Sequence, residues 1–289
     1  MKKLKLFCAG FVLLMMTAGL PLQAQETTQQ QATDQHENVR LTKKEKTLKT
    51  HWAGRRVGIL GDSMTSKKTL GPEMLLWWEY LSELMGFKEC YNYAHGGHQW
   101  HQIFRQAQSL WQEHAENIDA IIIFAGTNDY NAGVPIGEFF EYEKQVVEVR
   151  EGKMAERLHR KPIMCDSTFC GRLNQALSYL RTQYPDKSIV MMTPIHRGYA
   201  KFKNGNVQPD EYYCNAQGRF LEEYVSVMKQ AAAYWSVPVV DLYANSGIVP
   251  NLDSNIPFIK IAATDRLHPS TEGQYRIAKV LQYQLPTIY

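Results

Sequence analysis

Several features that would settle the class of a protein at once are scarce or missing from this chain. Cysteine is sparse, with five in 289 residues, and no C-x-x-C pair occurs, which argues against a thiolate zinc site. No basic run with interleaved aromatics is present, so the usual footprint of a nucleic-acid binder is missing and no nucleic-acid partner is expected. No internal repeat appears. The apolar run Leu6–Leu20 is shorter than the roughly 20 residues that a membrane span needs.

That run has a different reading. MKKLK precedes it and Pro21-Leu22-Gln23-Ala24 follows it, giving a positive start, a short apolar centre and a small-residue exit. This is the pattern of a secretory signal peptide over residues 1–24, cleaved after Ala24. The expectation is a secreted or periplasmic protein with no stable membrane insertion after cleavage. Cys8 lies inside the apolar run rather than at the cleavage site, so the leader is not that of a lipoprotein. Lys2, Lys3 and Lys5 leave with it, and the formal net charge of +3 becomes neutral. Residues 25–52 are polar and rich in Gln, Thr and Lys. Such a stretch cannot bury enough surface to order itself and reads as a tether. Residues 53–289 then form one domain of about 240 residues, enough for a full core. Cys90, Cys165, Cys170 and Cys214 allow three disulfide pairings in an oxidising compartment, with Cys165–Cys170 favoured by proximity in sequence.

Within the domain, short β-rich runs alternate with amphipathic stretches. Arg56–Leu60, Cys90–Ala94, Ala120–Phe124, Ser188–Thr193 and Pro238–Leu242 are continuous apolar runs, as expected of strands buried on both faces of a parallel sheet. Helices are expected over Glu73–Met85, Gln99–His114, Thr168–Tyr184, Tyr213–Trp235 and Thr271–Leu285, the last opened by a capping box from Thr271 to Gln274. Residues 132–164 are charged and longer than a crossover requires, and read as an insertion near the site.

In an open parallel sheet, ligands bind beyond the carboxyl ends of the strands. There the sequence places Gly61-Asp62-Ser63, then Ala94-His95-Gly96-Gly97-His98, Gly126-Thr127-Asn128-Asp129, Pro194-Ile195-His196-Arg197 and Asp265-Arg266-Leu267-His268. Each piece alone is ordinary. A GDS can close a strand, two glycines make a turn, and Asn and Asp bond their own backbone in turns. Their joint occurrence, in this order and each after its own strand, is not.

GDS at 61–63, N-x-x-x-x-G from Asn92 to Gly97, GTND at 126–129 and D-x-x-H at 265–268 resemble the four blocks of the SGNH (GDSL-type) hydrolases. The resemblance runs from Gly58 to the C-terminus. It implies an α/β fold, a flavodoxin-like three-layer α/β/α sandwich around a five-stranded parallel sheet. It also implies a Ser-His-Asp triad with an oxyanion hole and no cofactor. Ser63, Gly97, Asn128 and His268 fall on the namesake positions and Asp265 on the third triad position.

The residue chemistry is consistent with this. A serine hydroxyl is a weak nucleophile until a base takes its proton, and His268 is such a base. Asp265, three residues earlier, can fix the imidazole tautomer and stabilise the imidazolium. The backbone N–H groups of Ser63 and Gly97 and the Asn128 amide can meet a developing oxyanion. The G-x-S-x-G elbow of other α/β-hydrolases is absent around Ser63. His95, His98 and His101 are spaced by three, but with no carboxylate cluster beside them no metal is expected. Trp100 is a candidate wall of the site, and His196 and Arg197 are candidate substrate contacts.

Four functions fit this pattern. The first is a secreted serine esterase that removes short acyl groups, acetyl foremost, from a small-molecule or glycan ester. The others are a lipid-directed esterase or lysophospholipase, an acyltransferase, and a carbohydrate-binding protein with a dead site.

Overall fold

The computed structural model describes residues 38–41 and 50–288; the leader and most of the tether lie outside them. β1 (Arg56–Gly61) leads to α1 (Lys67–Leu70) and α2 (Trp77–Met85). β2 (Glu89–Asn92), α3 (Trp100–His114), β3 (Ala120–Phe124) and α4 (Thr127–Asn131) follow. A hairpin of β4 (Phe140–Arg150) and β5 (Lys153–Pro162) comes before α5 (Phe169–Gln183) and β6 (Ser188–Met192). Then come β7 (Ala200–Lys201), β8 (Val207–Gln208), α6 (Leu221–Tyr234), β9 (Val239–Val240) and α7 (Leu242–Asn245). β10 (Ile259–Ile261), β11 (Asp265–Pro269) and α8 (Thr271–Gln284) complete the order.

Five strands in the order β2-β1-β3-β6-β9 form the central sheet, and every pairing in it is parallel. β3 shows why its sequence is unbroken Ala-Ile-Ile-Ile-Phe. Ile121 and Ile123 enter a core shared with Ile103 of α3, Leu173 of α5 and Met228 of α6. Ile122 and Phe124 enter the opposite core, with Trp77 of α2 and Ile277 of α8. Both faces are therefore covered by helices, the three-layer α/β arrangement expected. Each fully buried isoleucine on such a strand contributes about 1.5–3 kcal/mol.

A second sheet, β10-β11-β7-β8, is antiparallel where its strands pair and was not legible in the sequence. β7 and β8 follow the carboxyl end of β6, so this sheet flanks the edge where the motifs gather.

Several boundaries differ from the sequence reading. β2 stops at Asn92 because Asn92 Oδ1 accepts from the Ala94 N–H at 2.8 Å and turns the chain. Residues 213–220 are loop, held by Asn215 Oδ1, which accepts from the N–H groups of Gln217 and Arg219. The cap of α8 is Ser270, whose hydroxyl accepts from the Gly273 N–H; Gln274 reaches elsewhere instead of closing a box with Thr271. The domain also starts earlier than residue 53. Trp52 is fully buried and donates through Nε1 to the Leu285 carbonyl at 2.8 Å. Asn38 Oδ1 accepts from Leu75 N–H, and Val39 N–H donates to the Tyr80 hydroxyl.

Residues 132–164 resolve into two parts. The first stays beside α4. The second is the β4–β5 hairpin, exposed on both faces, at whose base Phe140 packs edge-to-face on Tyr234 with ring centroids 4.6 Å apart. Tyr234 ends α6, the helix that returns to the start of β9, so the hairpin is rooted away from the catalytic edge rather than near the site. The four cysteines of the domain are free thiols. No helix among the described residues is long and apolar enough to cross a membrane.

Candidate active site

β1 delivers the nucleophile. A Cβ on Gly61 would lie 2.8 Å from the Phe124 carbonyl and 2.9 Å from Thr65 Oγ1, so only glycine permits the strand to turn here. Asp62 Oδ1 accepts from the Met64 N–H at 2.9 Å, and the Asp62 carbonyl accepts from Thr65 N–H. Ser63 is thereby lifted off the strand end and is 6 % exposed. The turn is then tied down from three sides. Asn92 Nδ2 and Trp78 Nε1 donate to the Thr65 carbonyl, and Gln274 Nε2 donates to the Met64 carbonyl.

His268 Nε2 stands 2.9 Å from Ser63 Oγ. Its Nδ1 lies 2.8 Å from Asp265 Oδ2 and 3.0 Å from Oδ1. Asp265 Oδ1 also accepts from the His268 backbone N–H at 3.0 Å, which folds the i, i+3 pair onto itself. A carboxylate at Nδ1 calls for the proton there and leaves Nε2 as the acceptor for the serine hydroxyl. Burial pushes the Asp265 carboxyl up, but its hydrogen bonds to His268 and the charge of that ring outweigh burial, and the net shift is downward. Asp265 is thus held ionised beside the base.

Neither the Ser63 nor the Gly97 backbone N–H has an acceptor among the described residues. Gly97 sits at φ +78° with nothing within 4 Å of the place a Cβ would occupy, so glycine is needed there for the left-handed backbone. Asn128, on α4, is already engaged. Its Nδ2 donates to the His98 carbonyl at 3.0 Å and, at a longer 3.4 Å, to Asp62 Oδ2.

Burial, partly offset by the Met64 N–H bond, pushes the Asp62 carboxyl up from 3.8 to about 7. A folded pKa above the unfolded one means that the native state keeps a proton which the unfolded chain releases, so this group's contribution to stability falls as pH rises from about 4 to 7. The Tm of the wild type minus that of Asp62→Asn is expected to fall by several degrees between about pH 5 and pH 8, at about 2–4 °C per kcal/mol. A difference independent of pH would show that Asp62 is not the proton holder.

Trp100, expected at the site wall, and Arg197, expected to contact substrate, are core instead. Trp100 is the first residue of α3 and wholly buried; its indole faces the core while its backbone N–H donates to Asp129. Arg197 is also wholly buried. Its guanidinium donates to Thr127, Asn131 and Gln208 and lies over the Tyr130 ring. It braces α4 from behind and has no reach to substrate. His196 is partly exposed but paired with Glu211 at 2.6 Å and packed at a tilt against Tyr243. His95 stacks on His98 with ring centroids 4.7 Å apart, and no group of three or more His, Cys, Asp or Glu among the described residues is placed to hold a metal.

Sequence reading missed two buried glutamines and a mostly buried arginine that build the site. Gln274 links α8 to the nucleophile turn. Gln106, on the apolar stripe of α3, reaches Gly61. Arg172 donates to Asp129 at 2.9 Å, fixing α4 to the start of α3. The one signal for the two glutamines is their position on otherwise apolar helix faces.

The sequence model of the GDSL-like lipase/acylhydrolase family matches residues 59–276. The chain belongs to that family. This GDSL-like protein is accordingly an ester hydrolase. Among solved structures, a protein from Lactobacillus plantarum superposes with TM-score 0.63 at 22% identity, covering 83% of this chain and 100% of the other. A possible lipase from Chitinophaga pinensis does so with TM-score 0.59 at 22% identity, covering 81% and 98%. Both are likenesses of fold. No curated protein matches this chain.

Proposed function

We propose that the protein is a serine esterase that removes short acyl groups, acetyl foremost, from carbohydrate, and that its N-terminal leader directs it out of the cytoplasm. The observation that carries the catalytic part is the 2.9 Å contact of Ser63 Oγ with His268 Nε2 beside two unpaired backbone N–H groups. Ser63 Oγ attacks the ester carbonyl carbon while His268 takes its proton. The carbonyl oxygen becomes an oxyanion that accepts from the Ser63 and Gly97 N–H groups. Asn128 completes the hole by exchanging its longer contact with Asp62 for the oxyanion. His268 then gives its proton to the departing alkoxide, leaving an acyl-serine. Water, deprotonated by the same imidazole, releases the carboxylic acid.

The substrate part rests on the surface beside the motifs. Tyr199, Tyr212 and Tyr213 are exposed on the chain between β6 and α6, which is tied to α4 and to Arg197. The Tyr213 carbonyl accepts from the Tyr130 hydroxyl, and Glu211 accepts from the Arg197 backbone N–H. Tyrosines pair an apolar ring with a polar tip, which suits a pyranose with its apolar faces and hydroxyl rim. An octanoyl chain instead needs a continuous apolar trough, since each buried CH₂ contributes about 0.8 kcal/mol. kcat/KM on p-nitrophenyl esters is expected to fall from acetyl through butyryl to octanoyl, with acetate released from at least one of acetylated xylan, pectin and peptidoglycan fragments. A rise with chain length would overturn the short-acyl reading, and no acetate from any glycan would overturn the carbohydrate reading.

A further inference from the structure

The parallel sheet leaves a gap beside the nucleophile. β2 pairs with β1 as far as Ile59 opposite Asn92 and then ends, two residues short of Gly61. Beyond that point the Gly61 carbonyl still accepts from the His95 N–H, but the Gly61 N–H facing the gap would be buried without a ladder partner, which is costly. Gln106, reaching in from the middle of α3, fills the place of the missing strand. Its Oε1 accepts from the Gly61 N–H at 2.9 Å and its Nε2 donates to the Gly61 carbonyl at 2.8 Å. The His95 N–H adds a second donor to that carbonyl. Gln106 is 5 % exposed and sits among Ile103, Ala107 and Leu110, where an apolar residue would otherwise be expected.

The two-point pairing with Gly61 also fixes which end of the amide is which. An N–H must meet the oxygen and a carbonyl must meet the nitrogen, so the side chain has one orientation. The remaining hydrogen on Nε2 then points to His98 Nδ1, 2.8 Å away. A donor at that position requires Nδ1 to be unprotonated, and a neutral imidazole so held carries its proton on Nε2. Burial, then the neighbouring His95, His101 and Arg105, lower the His98 pKa, consistent with a neutral ring. His98 follows Gly97 directly, and its carbonyl holds Asn128. Gly61 lies two residues before Ser63. A single buried amide therefore joins the two backbone arms whose N–H groups face the substrate.

We propose that Gln106 is a positioning residue of the oxyanion hole, which sets the spacing of the Ser63 and Gly97 donors by bridging Gly61 to His98 and locks His98 as the Nε2–H tautomer. This rests on the esterase reading of Ser63, and the experiment separates the two. In the wild type, nitrogen NMR of the histidines is expected to show His98 protonated on Nε2 and not on Nδ1. Gln106→Glu keeps an acceptor for the Gly61 N–H but sets a carboxylate against both the Gly61 carbonyl and His98 Nδ1. It is expected to move the His98 proton to Nδ1 and to lower kcat on p-nitrophenyl acetate about tenfold or more with KM within about twofold. That split marks an interaction felt only in the transition state, and displacements of about 1 Å in a site cost up to about 10²-fold. Gln106→Met, which has no donor or acceptor of this kind, is expected to show the same kcat loss with a lower Tm. A proton on Nδ1 of His98 in the wild type would overturn the proposal, as would kcat within twofold of wild type in both folded variants. Hydrolysis that survives Ser63→Ala would instead overturn the reading of the site itself, while the tautomer measurement still decides the role of Gln106 in holding His98.

Discussion

Ser63→Ala is expected to fold normally and to lose ester hydrolysis by about 10⁶-fold in kcat, and His268→Ala by a similar factor, because a triad acts as one unit. The geometry supplies the reason. Among the described residues the hydroxyl has one base within reach, at 2.9 Å, and that base has one carboxylate behind it. Asp265→Ala is expected to cost less, about 3 × 10⁴-fold, since what it removes is the tautomer lock and the stabilisation of imidazolium rather than the proton acceptor. Its loss also frees the His268 backbone N–H that Asp265 caps, so circular dichroism and Tm should accompany the rates. A larger kcat loss at Asp265 than at His268, or a folded Ser63→Ala that retains more than about a thousandth of the activity with contamination excluded, would contradict the assignment; even full removal of a triad leaves only a residual 10³–10⁴-fold over water.

The second large effect is on stability. Arg172→Met is expected to destabilise the fold by about 3–5 kcal/mol, because removing one partner of a buried pair strands the other. Asp129 is completely buried and Arg172 nearly so. Besides Arg172, the Asp129 carboxylate is met by the backbone N–H groups of Trp100 and of Asp129 itself, neither of which carries a full charge. Burial pushes the Asp129 carboxyl up to about 6, in spite of Arg172. Its folded pKa therefore lies above the unfolded value. The native state holds the extra proton, and this group's share of stability declines as pH rises from about 4 to 6. Without Arg172 the charged form is disfavoured further, so the Tm deficit of the variant should be largest near pH 8 and shrink on acidification. At about 2–4 °C per kcal/mol the drop should be about 10 °C. Arg172→Met combined with Asp129→Asn should recover much of it, since no charge is then left unpaired. An unchanged Tm in the single variant, or no recovery in the double, would show that the pair does not anchor α4.

The central sheet and the motif residues were legible because both are written locally. A strand buried on two faces has to be apolar without interruption, as Ala120–Phe124 is. The catalytic blocks each sit in the few residues after a strand end, so linear order was enough to collect them. The hairpin was not legible, because Phe140–Arg150 and Lys153–Pro162 carry charge on both faces and show no clean alternation. Trp100 and Arg197 were misplaced for a related reason. Nearness to a motif in sequence does not say which way a side chain points. Trp100 opens a helix whose inner face it joins, and Arg197 finds acceptors at Thr127, Asn131 and Gln208 that only the folded chain brings together. The start of the domain was set too late because polar residues conceal Trp52, which becomes core only when the far end of the chain packs on it.

The two halves of the triad come from different sheets and lie 205 positions apart along the chain. Ser63 rides on the central sheet, whereas Asp265 and His268 ride on β11, whose register with β7 is carried by the pairing of Asp265 with Ala200. Contacts of such long sequence separation form late, after the loop entropy of everything between them has been spent. A partly folded molecule with its parallel sheet complete would thus present a serine and two oxyanion donors without a base, and would leave an ester uncleaved.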